Sequence, residues 1–95
     1  MDKSKVYLEK VQANLDQYNA KLAGMKAKAA EMRADMKLEY ISQVEDLEKK
    51  RDGFAAKYEQ LKESNGQAWD DVKTGTEKAW NDMEESIEKA ISRFK

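Results

Sequence analysis

Residues 29–35 read Ala-Ala-Glu-Met-Arg-Ala-Asp, and whether the chain bends within them decides the fold. The stretch contains neither glycine nor proline, and Ala, Glu, Met and Arg are good helix formers. It therefore predicts one helix that runs through without interruption. A bend here, which would produce a three-helix bundle, is the alternative that the sequence leaves open.

Apolar residues recur in steps of three and four on both sides of this stretch. The N-terminal set is Leu8, Val11, Leu15, Tyr18, Leu22, Met25, Ala29, Met32 and Met36, and it continues through Tyr40, Val44, Leu47, Phe54, Tyr58 and Leu61. Such steps form the seam of a left-handed coiled coil. Arg51 occupies one seam position, where it must pair or reach solvent along its aliphatic stem. The stripe predicts a helix from about residue 4 to residue 63.

The last third of the chain repeats with a period of eleven residues. Residues 68–78 and 79–89 share the pattern Ala-Trp-x-Asp, then Val or Met, and end in Glu-Lys. The apolar stripe of this segment is Trp69, Val72, Thr76, Trp80, Met83, Ile87, Ile91 and Phe94. It predicts a second helix, which packs nearly straight. We expect Trp69 and Trp80 to be core anchors rather than membrane-interface anchors, because the polar face of this helix is acidic.

Ser64-Asn65-Gly66 is the strongest turn signal in the chain. Asn-Gly tolerates the left-handed conformation that ends a helix, and Ser64 with Gln67 fits a capping box. Asp52-Gly53 is a competing turn, but no N-cap residue follows it. The pattern favours a turn at residues 64–67 and a helix over about residues 67–94.

These expectations define an all-α fold, a single domain in which a long helix carries a shorter antiparallel helix. The first helix would be about 90 Å long and the second about 40 Å, so the second covers only the stretch from about residue 36 to residue 63. The stripe of residues 8–36 then has no partner, and each large apolar side chain left in water costs about 1.5–3 kcal/mol. The sequence therefore predicts a homo-oligomer, a dimer or larger, assembled as a helical bundle.

Composition argues against enzyme chemistry. The chain has no His, Cys or Pro, 39% of its residues are charged, and its four glycines are scattered. Catalytic triads with histidine, thiolate metal sites and glycine-rich phosphate loops are thereby excluded. Glu84 and Glu88 share a helix face without a calcium-binding loop, and Met25, Met32 and Met36 fit the seam better than a soft-metal site. We expect a non-enzymatic protein with no catalytic residue, cofactor or metal.

Hydropathy and charge limit the kinds of partner that the chain is expected to have. The mean hydropathy is −0.99, and residues 1–6, Met-Asp-Lys-Ser-Lys-Val, lack an apolar leader core, so a cytoplasmic protein is expected. The basic excess in the first third is too small and interrupted for a nucleic-acid-binding arm. A membrane surface is the second choice of partner, reached by the repeat helix.

Several short segments together resemble a group of small bacterial coiled-coil proteins, some of which are stress-response proteins. The segments are Lys37-Leu38-Glu39-Tyr40, Glu45-Asp46-Leu47, Leu61-Lys62-Glu63 and Ala68-Trp69-Asp70-Asp71-Val72-Lys73, followed by Ala79-Trp80. The resemblance covers nearly the whole chain, and its tail is the most specific part. It implies a bacterial source and a structural or stress-linked role, and it supplies no active site.

Overall fold

The computed structural model describes residues 3–94 and shows three helices joined by two short turns. They are α1 (Lys3–Ala29), α2 (Ala34–Glu63) and α3 (Gly66–Arg93). The helices run up, down and up in a body of 51 × 20 × 18 Å. The expected all-α bundle class is confirmed.

The prediction of one continuous helix from residue 4 to residue 63 is wrong. α1 ends at Ala29 with bonds between residues three apart, in which Glu31 N donates to Lys28 O (3.0 Å) and Met32 N to Ala29 O (3.2 Å). Arg33 is extended (φ −65°, ψ 147°), and α2 begins at the next residue. No local breaker causes this bend. It is favoured because it folds the apolar stripe of α1 onto the other two helices of the same chain, and burial outweighs local helix preference.

The second turn lies where the sequence places it. α2 ends at Glu63, and α3 begins at Gly66, which adopts the left-handed conformation (φ 58°). The predicted capping box is wrong: Asn65 is the N-cap without a side-chain bond, and Ser64 Oγ instead donates to Gln60 O (2.7 Å). The chain therefore turns by glycine geometry rather than by side-chain capping.

Most of the predicted stripe forms the core. The buried members are Val11, Leu15, Tyr18, Leu22, Met25, Ala29, Tyr40, Val44, Leu47, Phe54, Tyr58, Leu61, Thr76, Met83, Ile87 and Phe94, joined by Ala90. Leu8, Met32, Trp69, Val72 and Trp80 are half-buried at its edges.

Two members of the predicted stripe are exposed and so lie outside the core of the bundle, while their predicted place in an interface stays a prediction. Met36 is 40% exposed because it lies one turn beyond Tyr40, which packs on Phe94 at the end of α3. Ile91 is 42% exposed because Ala90 takes the inward position between Ile87 and Phe94.

The bend also removes the reason given above for self-association. The stripe of residues 8–36 was expected to lack a partner within one chain, yet most of it is buried against α2 and α3. Self-association stays a prediction, but it needs another surface to support it.

Candidate docking groove

The three sides of the bundle are not equally closed. α1 packs closely on α2, and α2 on α3, but no Cα of α1 comes within 8 Å of a Cα of α3. Close-packed helices normally lie 8–10 Å apart, axis to axis. The side between α1 and α3 is therefore an open groove along two parallel helices.

Aromatic side chains span this gap near its floor. Tyr7 meets Trp69 edge-on with ring centroids 6.0 Å apart, and Tyr18 meets Trp80 at 6.1 Å. Trp80 also contacts Phe54 of α2 at 5.5 Å. Trp69 and Trp80 thus contact aromatic rings of neighbouring helices, but both are half-buried rather than part of the buried core that the sequence predicted for them. Large rings hold α1 and α3 together at a distance that small side chains would not bridge.

The groove has a volume of about 570 Å³, and its two walls carry opposite charge. The α1 wall presents Lys10, Asn14, Gln17 and Lys21, and the α3 wall presents Glu77, Asn81, Glu84 and Glu88. A smaller cavity of about 250 Å³ continues it past Gly24 and Lys28 towards the exposed Ile91. A basic helix face therefore lies parallel to an acidic one along most of the bundle.

In the part of the chain that the structure describes, the ion pairs between helices lie on the two closed sides. Lys26 Nζ lies 2.7 Å from Glu48 Oε2 between α1 and α2. Between α2 and α3, Lys50 Nζ lies 3.1 Å from Asp82 Oδ2, and Arg93 pairs with Glu39. Within residues 3–94 no ion pair joins α1 to α3, so the charges that face each other across the groove stay unneutralised by direct contact.

Direct polar contacts across the open side are sparse. Tyr7 Oη donates to Glu77 Oε1 (3.2 Å), and the ammonium of Lys73 lies 4.7 Å from the centre of the Tyr7 ring. At the other end, Lys28 Nζ donates to Phe94 O (3.2 Å). These contacts tie the two ends of the groove and leave its middle open.

Tyr18 carries the one buried side-chain polar atom in the described part of the chain that finds no hydrogen-bond partner. The residue is 2% exposed and lines the groove. Burial raises the pKa of Tyr18 to about 12, with Arg51 opposing and Asp82 adding to the shift. Burial, and then the charge of Glu77, raises the pKa of Tyr7 to about 12 as well. Both hydroxyls therefore stay protonated to a higher pH than an ordinary tyrosine hydroxyl.

Arg51 occupies a seam position and forms polar contacts there, one of the two possibilities that the sequence predicts. Its Nη1 donates to Asn19 Oδ1 on α1 (3.0 Å), and its Nε donates to Asp52 Oδ1 (2.9 Å). A further carboxylate oxygen of Glu48 lies 3.9 Å away. A cation at a seam position thus becomes a link between α1 and α2.

The apolar stripe gives no sign of the groove, because polar and charged residues form the groove walls. Lys10, Lys21 and Lys28 are spaced by eleven and seven residues, and Glu77, Glu84 and Glu88 by seven and four. These spacings place each set on one helix face. The charge patterns were readable, but which two helices would face each other depended on the unexpected bend.

The described residues hold no group of three or more acidic side chains that could bind a metal ion. The same residues contain no helix with enough length and apolar character to cross a bilayer. The chain lacks both His and Cys, so it can form neither a histidine-activated nucleophile nor a thiolate.

The groove, and not similarity to a known protein, is the basis for a functional proposal. The resemblance to small bacterial coiled-coil proteins stays a prediction from the segments quoted above. No protein-family model, no curated protein and no solved structure matches the chain.

Proposed function

We propose that this protein is a non-enzymatic scaffold that self-associates through the groove between α1 and α3. The observation that carries the proposal is the pair of unneutralised walls, with Lys10 and Lys21 on α1 and Glu84 and Glu88 on α3. A second copy presents the same two walls and can therefore satisfy both at once.

Charge selects one arrangement of the two copies. When the two-fold axis is parallel to the helices, α1 of one copy faces α3 of its partner, and basic walls meet acidic walls. When the axis is perpendicular, α1 faces α1 and Lys10 and Lys21 meet their own counterparts, which is repulsive. The parallel arrangement is therefore favoured.

The contact is expected to be weak and salt-sensitive. Exposed ion pairs contribute about 0.2–1 kcal/mol each, and the groove offers little apolar area beyond Ile91 and the edges of Tyr7 and Trp80. Salt at 1 M shortens the screening length to about 3 Å. A dimer that forms and dissolves with concentration suits a scaffold. The tail resemblance to bacterial stress-response proteins supports a stress-linked setting for it.

Sedimentation velocity with charge-reversed variants tests the proposal. Lys10→Glu with Lys21→Glu makes both walls acidic, and Glu84→Lys with Glu88→Lys makes both basic. Each variant alone is expected to be monomeric, whereas an equal mixture of the two is expected to form a heterodimer, because acidic walls then meet basic walls on both sides.

A matched control keeps the same charge change away from the groove. Lys49→Glu with Lys62→Glu alters two exposed lysines on α2 and is expected to dimerise like the unaltered chain. Circular dichroism verifies that all variants stay helical. If the unaltered chain remains monomeric at millimolar concentration in low salt, or the mixture does not associate, the proposed function is wrong.

A lipid surface is the second candidate, and the character of α3 favours it. This helix separates apolar and polar residues more sharply than α1 or α2, and it carries both tryptophans. Trp69 and Trp80 face the open side, where no helix backbone packs closely. Release of α3 onto a membrane would move both rings into the headgroup region.

Tryptophan emission in the presence of phosphatidylcholine vesicles tests this candidate. A blue shift with retained helicity is expected if α3 inserts, and vesicles containing phosphatidylglycerol should give a smaller shift because the polar face of α3 is acidic. Unchanged emission with both kinds of vesicle rules the lipid candidate out.

A further inference from the structure

The two turns of the bundle differ in what bends them. The Ser64-Asn65-Gly66 turn uses a glycine at φ 58°, a conformation that residues with a side chain rarely adopt. The turn at residues 30–33 contains Ala, Glu, Met and Arg, and no non-glycine residue in the described chain has a positive φ. Nothing in the first turn is incompatible with a helix.

Straightening the first turn requires a rotation of the backbone at Arg33. Ala30, Glu31 and Met32 already donate to carbonyls three residues back, a slightly tightened helix. Arg33, with ψ 147°, lies in the extended region. Rotation of its ψ into the helical range joins α1 to α2. No side-chain cap is lost, because the start of α2 has none.

The apolar stripe keeps its register through this turn. Ala29, Met32, Met36 and Tyr40 follow in steps of three, four and four, as they would on one continuous helix. The bundle uses Ala29 and Tyr40 in its core but leaves Met32 half-buried and Met36 40% exposed. Two methionines thus occupy seam positions that the bundle covers only in part.

We infer that residues 30–33 are a hinge, and that two copies exchange α1 by straightening it into one helix from Lys3 to Glu63. In the exchanged dimer, α1 of each copy packs on α2 and α3 of the other. It reuses the contacts of the bundle, such as Asn19 with Arg51 and Lys26 with Glu48. Met32 and Met36 of the two chains meet at the two-fold axis and become covered.

This exchange is independent of the groove contact proposed above, since it needs no new surface. Every contact of α1 is kept, and backbone hydrogen bonds are added across the hinge. Its costs are the entropy of association and the detachment of α1 as the dimer forms. The exchanged dimer should therefore form on warming at high concentration and persist after dilution, whereas a groove dimer dissociates at once.

A proline at residue 34 is compatible with the bent hinge and incompatible with the straight one. In the bundle Ala34 is the first residue of α2, where proline is well accepted, and Arg33 before it has the extended backbone that a following proline requires. In the straight helix the same proline removes a backbone hydrogen bond and clashes with the preceding turn. Ala34→Pro should therefore leave the monomer folded and weaken exchange by more than about 100-fold. Ala34→Ser is the matched control and should exchange like the unaltered chain.

Energy transfer within one chain identifies the exchanged form. The chain has no cysteine, so Lys5→Cys with Gln60→Cys provides two unique labelling sites at the same end of the bundle. Doubly labelled chains are mixed with excess unlabelled chain at about 1 mM, warmed, cooled and separated by size. The monomer should show high transfer. The mixed dimer should show little, because a straight helix moves the labels about 80 Å apart at 1.5 Å per residue.

Three outcomes overturn the inference: no dimer after this treatment, a dimer that retains high transfer, or an Ala34→Pro chain that dimerises as readily as the Ala34→Ser chain. The charge-reversed groove variants keep the two proposals distinguishable. Groove variants that lose the rapidly reversible dimer but still exchange would contradict only the groove. Loss of slow exchange alone would contradict only the hinge.

Discussion

The hairpin of α2 and α3 and the helix α1 are held in place in different ways. The hairpin has a turn set by Gly66, two ion pairs between its helices and the edge-on contact of Tyr40 with Phe94, whose centroids are 5.0 Å apart. α1 has a turn with no breaker and an open side towards α3. α1 is therefore the element most easily detached, because only its side-chain contacts with the other two helices keep its turn bent.

We expect the largest loss of stability when a core leucine is truncated, either on α1 or in the hairpin of α2 and α3. Leu22→Ala on α1 and Leu61→Ala on α2 both remove a nearly inaccessible leucine, and each should lower the free energy of unfolding by about 2–5 kcal/mol. On heating, Leu22→Ala should lose energy transfer between labels at residues 5 and 60 before it loses helicity, because α1 detaches as a straight extension of α2. Leu61→Ala should lose both signals together. If the Leu22→Ala chain loses energy transfer and helicity at the same temperature, α1 is not the element most easily detached.

Glycine replacement compares the two turns directly. Gly66→Ala should lower the free energy of unfolding by about 1–2 kcal/mol, since alanine is strained in the left-handed conformation that Gly66 adopts at φ 58°. Gly53→Ala is the matched control, because Gly53 lies inside α2 and an added methyl meets nothing within 4 Å. It should raise stability by about 0.5–1 kcal/mol. Urea titration measures both values, and a neutral Gly66→Ala would show that the second turn is also imposed by packing.

Tyr18 tests what holds α1 against the other helices. Tyr18→Phe removes a buried hydroxyl that has no partner in the described residues and should raise the free energy of unfolding by about 1 kcal/mol. A loss of stability would instead show that the hydroxyl is satisfied in solution.

The raised pKa values of Tyr7 and Tyr18 predict that the stability of the fold decreases at alkaline pH. The folded-state pKa of Tyr7 and Tyr18 is raised from 10.0 to about 12, so the stability linked to their protonation is complete below pH 10 and is lost as the pH rises towards 12. The melting temperature of the unaltered chain should therefore fall more steeply between pH 9.5 and 11.5, as measured at about half-unit intervals, than that of Tyr18→Phe. If the melting temperatures of the two chains fall equally over this pH range, the raised pKa of Tyr18 does not contribute to stability.

The smallest effect is expected from a cap at the first turn. Arg33 is the N-cap of α2 and makes no capping bond, whereas an aspartate there can accept from the first backbone N–H groups. Arg33→Asp should raise the melting temperature of the monomer, corresponding to about 0.5–1 kcal/mol, and slow the exchange of α1. The exposed contact of Arg33 with Asp35 at 3.6 Å is lost at little cost. A faster exchange in Arg33→Asp would argue against the hinge.

How far the sequence could predict this fold depends on where each feature is encoded. The helices and the end of α2 at Glu63 follow from periodicity and from Asn65-Gly66, which are local signals. The break after Ala29 has no local signal, because its residues prefer helix and only distant contacts favour the bend. The groove was unreachable for the same reason: Lys10 and Glu84 could be assigned to helix faces, but not to facing helices.

Three features follow from local sequence: the chain is helical, its apolar residues form a stripe, and the second turn lies at Asn65-Gly66. Each of them rests on interactions within a few residues. Three other features follow from tertiary packing: α1 folds back, Met36 and Ile91 stay exposed, and a basic and an acidic face line one groove. These depend on contacts between residues far apart in the chain. The free energy of burying the stripe of α1 exceeds the small local preference for a straight helix.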